Sequence, residues 1–150
     1  MHRLTLILLP VLLLAAGCGA GSVQVPLPSP DTTTSKLCAG LRLPQKLHGQ
    51  SRRSTQPKSP LVAVWGSPAI ALRCGVGRPA ALQPTSPLVT LNGIAWFGEP
   101  VDRPVTFTAV GRQAYVEVTV PTTIQPPGDV LIELTSAIKA ALPEKADGEL

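Results

Sequence analysis

Leu88-Val89-Thr90-Leu91-Asn92-Gly93-Ile94-Ala95-Trp96-Phe97 carries the clearest fold signal in the chain, two apolar runs on either side of Asn-Gly. Asn and Gly accept the positive φ values of a two-residue type I′ turn, whose twist matches that of the antiparallel strands it joins. In that register Leu91 opposes Ile94 and Val89 opposes Trp96, so all four line one face. The middle of the chain is thereby committed to antiparallel sheet.

Working outward, Val105-Thr106-Phe107-Thr108-Ala109-Val110 and Tyr115-Val116-Glu117-Val118-Thr119-Val120 flank Gly111-Arg112. Val116, Val118 and Val120 alternate with Tyr115, Glu117 and Thr119, as expected of a strand with one wet face. On the N-terminal side, Leu61-Val62-Ala63-Val64-Trp65 is a continuous apolar run suited to a strand buried on both faces, and Gly66-Ser67-Pro68 supplies the turn after it. The next run, Ala69 to Cys74, puts Ile70, Leu72 and Cys74 on one face and Arg73 on the other. Between Gly49 and Pro60 the chain is polar and basic without periodicity, which predicts an exposed loop.

Helices bracket the strands. Ser35 or Thr34 can cap a short one in which Leu37, Cys38 and Leu41 share a face, with Pro44 ending it. Asp129 is a good N-cap for a second, from Val130 to about Leu142, whose Leu131, Leu134, Ile138 and Leu142 make one apolar stripe. The expected fold is an α+β domain over residues 37–142, a mainly antiparallel sheet of about six strands with an N-terminal and a C-terminal helix. A charged tail, 143–150, follows.

The chain opens with Met1-His2-Arg3 and an apolar stretch from Leu4 to Ala16, too short to cross a bilayer and suited to an export signal over residues 1–17. Leu14-Ala15-Ala16-Gly17-Cys18 resembles the lipobox of bacterial lipoproteins, with Ala15 where that pattern prefers Leu. The resemblance implies lipidation of Cys18 and a protein held on the outer face of the cytoplasmic membrane. A plain secretory signal and a cytosolic chain with a greasy start are the alternatives. Residues 18–36, rich in Pro, Ser and Thr with Pro26, Pro28 and Pro30 at every second position, read as an extended tether.

Cys38 and Cys74 remain, in an oxidising compartment if the chain is exported, so one disulfide between them is expected. Two separately buried thiols are the alternative.

Ala63-Val64-Trp65-Gly66-Ser67-Pro68-Ala69-Ile70-Ala71-Leu72-Arg73-Cys74-Gly75-Val76 resembles a family of small actinobacterial lipoproteins known only as a domain of unknown function. Cys38 ahead of Leu43-Pro44, the Asn92-Gly93-Ile94-Ala95-Trp96 hairpin and Gly111-Arg112 before Val116-Glu117-Val118 also fit. The likeness implies the address and topology above and brings no catalytic residue.

The residues offer little for catalysis. His48 is the one histidine beyond the export segment, and no partner for it can be named, which weakens every scheme that needs an oriented base. One histidine and two paired cysteines do not make a metal site, and no cofactor is expected. Glu99, Asp102, Glu117 and Glu133 are the carboxylates that sugar hydrolysis would draw on, and each reads as a solvated charge. Trp65 and Trp96 read as core, although with Tyr115 they could form a ligand platform. Loss of Arg3 with the signal leaves 12 Lys and Arg against 9 acidic residues, a charge of +3, too small for nucleic-acid binding.

Arg42, Lys46, Arg52, Arg53 and Lys58 form a basic set near the tether, and Arg52 and Arg53 are the candidate binding residues, for anionic head groups or wall polymers, with a merely solvated basic loop as the favoured alternative. Two function classes stand: a non-enzymatic binding module with the membrane, an envelope protein or an anionic wall polymer as partner, and an envelope hydrolase with an unrecognised carboxylate site. The inventory favours the module.

Overall fold

The computed structural model describes residues 21–103, 105–146 and 148–150, so Cys18 and the export segment lie outside the described residues. Twelve elements follow one another among those residues: β1 (Val23–Gln24), α1 (Thr32–Ala39), β2 (Lys46–Leu47), β3 (Gln50–Arg53), β4 (Thr55–Gln56), β5 (Val62–Trp65), β6 (Ile70–Val76), β7 (Val89–Leu91), β8 (Ile94–Glu99), β9 (Thr106–Val110), β10 (Tyr115–Thr119) and α2 (Gly128–Ala141). The class is α+β as expected, but the main sheet has eight strands rather than about six, in the order β2-β3-β5-β6-β10-β9-β8-β7. Every neighbouring pair in it is antiparallel. Two meanders, β2-β3-β5-β6 and β7-β8-β9-β10, thus meet along β6 and β10 at the centre.

The Asn-Gly hairpin folds as its chemistry dictates. Asn92 and Gly93 take φ of 48° and 81°, Leu91 pairs with Ile94 and Val89 with Trp96. Ile94 and Trp96 are buried and Leu91 partly so, while Val89 on the edge strand stays 60 % exposed. The same device makes the additional strands. His48 and Gly49, with φ of 48° and 73°, turn β2 into β3 in the stretch expected to be an exposed loop. β3 lacks apolar alternation because it forms by pairing on β5, and β2 pairs in turn on β3 while burying Leu47 in the core.

Helices cover one face only. There Trp65, Leu72, Val116, Val118, Ala109 and Trp96 pack against Val130, Leu131, Leu134 and Ile138 of α2 and Cys38 of α1 in a single core. Leu142, just past α2, is fully buried with them. Two expected caps move. Asp31, not Thr34 or Ser35, caps α1 by accepting from the Thr34 backbone N–H at 3.0 Å. Asp129 lies inside the first turn of α2, favourable to the helix dipole, while Pro127 is the capping position. Cys38 and Cys74 form the one disulfide of the described residues, tying α1 to the centre of the sheet.

The other face is covered by chain rather than by helix. The Pro-rich stretch, expected to stand free as a tether, is extended but lies on the sheet from Gly21 onward: β1 pairs in parallel with β4, and Val25 is buried against Val62 and Val64. Gly75 marks where this segment leads into α1, beside Cys38. It is a bulge residue at φ 85°, skipped where β6 pairs with β10, and a Cβ there would lie 2.7 Å from the Pro30 ring. At the far end Leu82, Phe97 and Val110 form a small cluster with Leu88, Tyr115 and Leu150. Between the two covers Arg73 and Glu117 pair at 2.8 Å, so Glu117 is an ion-paired sheet residue and not the solvated charge expected.

Candidate functional site

Consecutive residues of a strand point to opposite faces, and β3 therefore separates Arg52 from Arg53. Arg52 pairs with Trp65 across β5 and lays its guanidinium over the indole, 5.1 Å from the ring centroid, which closes that end of the core. Burial lowers the Arg52 pKa from its ordinary value, and a guanidinium keeps its charge through such a shift. Arg53, on the other face, donates to the Gly66 carbonyl at 3.0 Å and to the Gly21 carbonyl at 2.9 Å. It thereby fastens the start of the N-terminal segment to the β5–β6 turn.

Beside them opens a groove of about 420 Å³ lined by Arg52, Arg53, Ser54, Thr55, Lys58 and Ser59, with Pro60, Val62 and Ala63 as its apolar floor. Three of the five basic residues flagged in the sequence converge here. Arg42 and Lys46 are exposed and line no part of it. Its lining brings basic and hydroxyl residues together, the chemistry that meets oxyanions, although the Arg52 guanidinium rests over Trp65 and that of Arg53 on the Gly66 and Gly21 carbonyls.

The remaining candidates have other occupations. His48 does find a partner: its backbone N–H donates to Glu133 at 2.9 Å, and its ring Nδ1 is 3.5 Å from the same carboxylate. Glu133 of α2 thus clamps the β2–β3 turn, a docking contact that sequence separation hid. Glu99 ends β8, partly buried, and Asp102 is exposed in the following turn. Trp65 and Trp96 are core, as read from the sequence, with Trp65 donating from Nε1 to the Pro44 carbonyl at 2.9 Å. Tyr115 packs in a different cluster from the two tryptophans, so the three form no common platform. Burial pushes the Tyr115 phenol up, but hydrogen bonds from Lys145 and Arg78, with their charges, outweigh that and hold its pKa below the ordinary value. Among the described residues no three His, Cys, Asp or Glu side chains gather as metal ligands. No helix of the described residues is long and apolar enough to cross a membrane.

A family model described as "Protein of unknown function (DUF3515)" matches residues 4–146. No curated protein and no solved structure matches the chain.

Proposed function

Because the chain belongs to this family of unknown function, its own residues must carry the reading, and we propose that it is an exported, lipid-anchored binding module whose basic groove takes anionic groups at the membrane face. The lipid sits on Cys18, after export through residues 1–17. The resemblance of the Ala63–Val76 stretch to actinobacterial lipoproteins supports the same address.

The observation that carries the reading is the hydrogen bond from Arg53 to the Gly21 carbonyl. Gly21 is three residues from Cys18, a span of at most about 11 Å when fully extended. A lipid on Cys18 therefore brings the Arg52, Arg53 and Lys58 groove to the bilayer surface, where phosphate head groups and the first units of an anionic wall polymer are within reach. Each cation near an anionic surface contributes about 1 kcal/mol, screened within a Debye length.

Flotation of the non-lipidated Cys18→Ser chain with vesicles tests this. Vesicles with a quarter anionic phosphatidylglycerol should retain it and neutral vesicles should not. Arg52→Ala with Lys58→Ala should weaken retention by roughly 30-fold at low salt, the effect of two cations. Equal retention by neutral and anionic vesicles refutes the groove as the contact. Anchoring is checked separately: metabolic labelling with a palmitate analogue should mark the wild-type chain, and label on Cys18→Ala would refute lipidation there.

The alternative of an envelope hydrolase is the weaker reading. Glu117 and Glu133, two of its four carboxylates, are engaged by Arg73 and His48.

A further inference from the structure

On the face away from the helices, three donors converge on one oxygen. The main-chain oxygen of Leu150 accepts from the Tyr115 hydroxyl at 2.6 Å, from Lys145 Nζ at 2.7 Å and from Arg78 Nη1 at 3.0 Å. The donors also brace one another. Lys145 donates to the Tyr115 hydroxyl at 3.1 Å and stands 4.5 Å from the centroid of its ring. Arg78 is held by the Leu82 carbonyl at 3.1 Å. Two cations and a phenol aimed at one point make a donor set that suits a carboxylate.

The site has an apolar half as well. The Leu150 side chain joins Leu82, Phe97, Val110 and Leu88 in the small cluster beneath the loop after β6. A space of about 310 Å³ lies beside it, bounded by Arg78, Pro84, Leu88 and Gly148. Among the described residues, no carboxylate side chain is paired with Arg78 or Lys145; the three ion pairs involve His48, Arg73 and Arg112.

We propose that Arg78, Tyr115 and Lys145 with the Leu82–Phe97–Val110 cluster form a binding site for a peptide ending in a leucine-like residue with a free carboxylate, and that the tail around Leu150 fills it in cis. Main-chain oxyanion capture beside an apolar pocket is a recurring way to read a peptide end. The tail competes intramolecularly, so a partner peptide must displace a segment held at an effective concentration in the millimolar range. This site is distinct from the Arg52–Lys58 groove and stands or falls apart from it.

The test is fluorescence anisotropy with a labelled peptide of sequence Ala-Asp-Gly-Glu-Leu, as the free acid and as the C-terminal amide. The chain lacking residues 148–150 should bind the acid at least about tenfold more tightly than the amide and than the full chain does. Full-length Leu150→Ala, which loosens the tail without shortening it, should fall between the two. Arg78→Ala with Lys145→Ala in the shortened chain, folded by circular dichroism, should lose at least about tenfold for the acid and little for the amide. No binding of the acid peptide by the shortened chain at millimolar concentration, or equal binding of acid and amide, overturns the proposal.

Discussion

Replacing both Cys38 and Cys74 by alanine should remove much of the stability of the domain. The bridge spans a sequence separation of 36, a closed loop of 37 residues counting both ends. Loop-closure entropy for that length is about 13 cal/mol/K, or about 4 kcal/mol at room temperature. Both cysteines are fully buried, so no solvent-exposed slack in the bridge offsets that constraint. The native state loses something as well, since α1 carries few other apolar anchors: Cys38 is its one buried residue, helped by partly buried Leu37. With a marginal total of about 5–15 kcal/mol, the variant should melt roughly 15 °C lower. Urea unfolding followed by the fluorescence of buried Trp65 and Trp96 measures the loss directly. A loss below about 1 kcal/mol would show that the crosslink restrains the unfolded chain far less than its length requires.

Arg112 is buried and donates to the Leu142 carbonyl behind α2, to the Gly93 carbonyl in the hairpin turn and to Glu144, so Arg112→Met should cost about 3 kcal/mol by urea denaturation. A loss under 1 kcal/mol would mean that those carbonyls find water. The two tryptophans should differ. Trp65→Phe strands the Pro44 carbonyl, whereas Trp96 Nε1 is buried without a partner among the described residues, so Trp96→Phe should be milder by about 1 kcal/mol or more in the same assay.

What the sequence disclosed was whatever local chemistry decides. The β7–β8 register follows from Asn92-Gly93 and the alternation around it, and the β5 and β6 burial patterns follow from their apolar spacing. The β2–β3 hairpin carried a weaker version of the same cue in His48-Gly49, masked by the polar Gln50–Arg53 run beside it. Arg52 and Arg53 could be named from charge alone, but their division between the two faces needed a strand that only pairing with β5 creates. The His48–Glu133 contact joins residues 85 apart, and Arg78, Tyr115 and Lys145 come together across β6, β10 and the tail. No local pattern encodes such meetings.

The two faces of the sheet should also differ in how readily they open, and amide hydrogen exchange can read this. The helix side is one continuous core of buried side chains, so its amides can exchange only when much of the domain unfolds. The opposite side is closed by two thin covers, each resting on a small cluster: Val25 with Val62 and Val64, and Leu150 with Leu82, Phe97 and Val110. Arginine or lysine contacts to main-chain oxygens help to fix each cover, through Arg53 at one end, beside the short β1–β4 pairing, and Arg78 with Lys145 at the other. Such bonds contribute about 1.5–3 kcal/mol each, well below the stability of a whole domain. The amides of Val23 and Val25, which donate to Ser54 and Gln56, and that of Lys145, which donates to Gly111, should therefore exchange faster than those of central β6 and β10 by at least about a hundredfold. Both proposed binding sites lie under or beside these covers, where opening costs least. Equal protection of the covers and the central strands would show that they unfold only with the core, and would remove the physical basis for a displaceable tail.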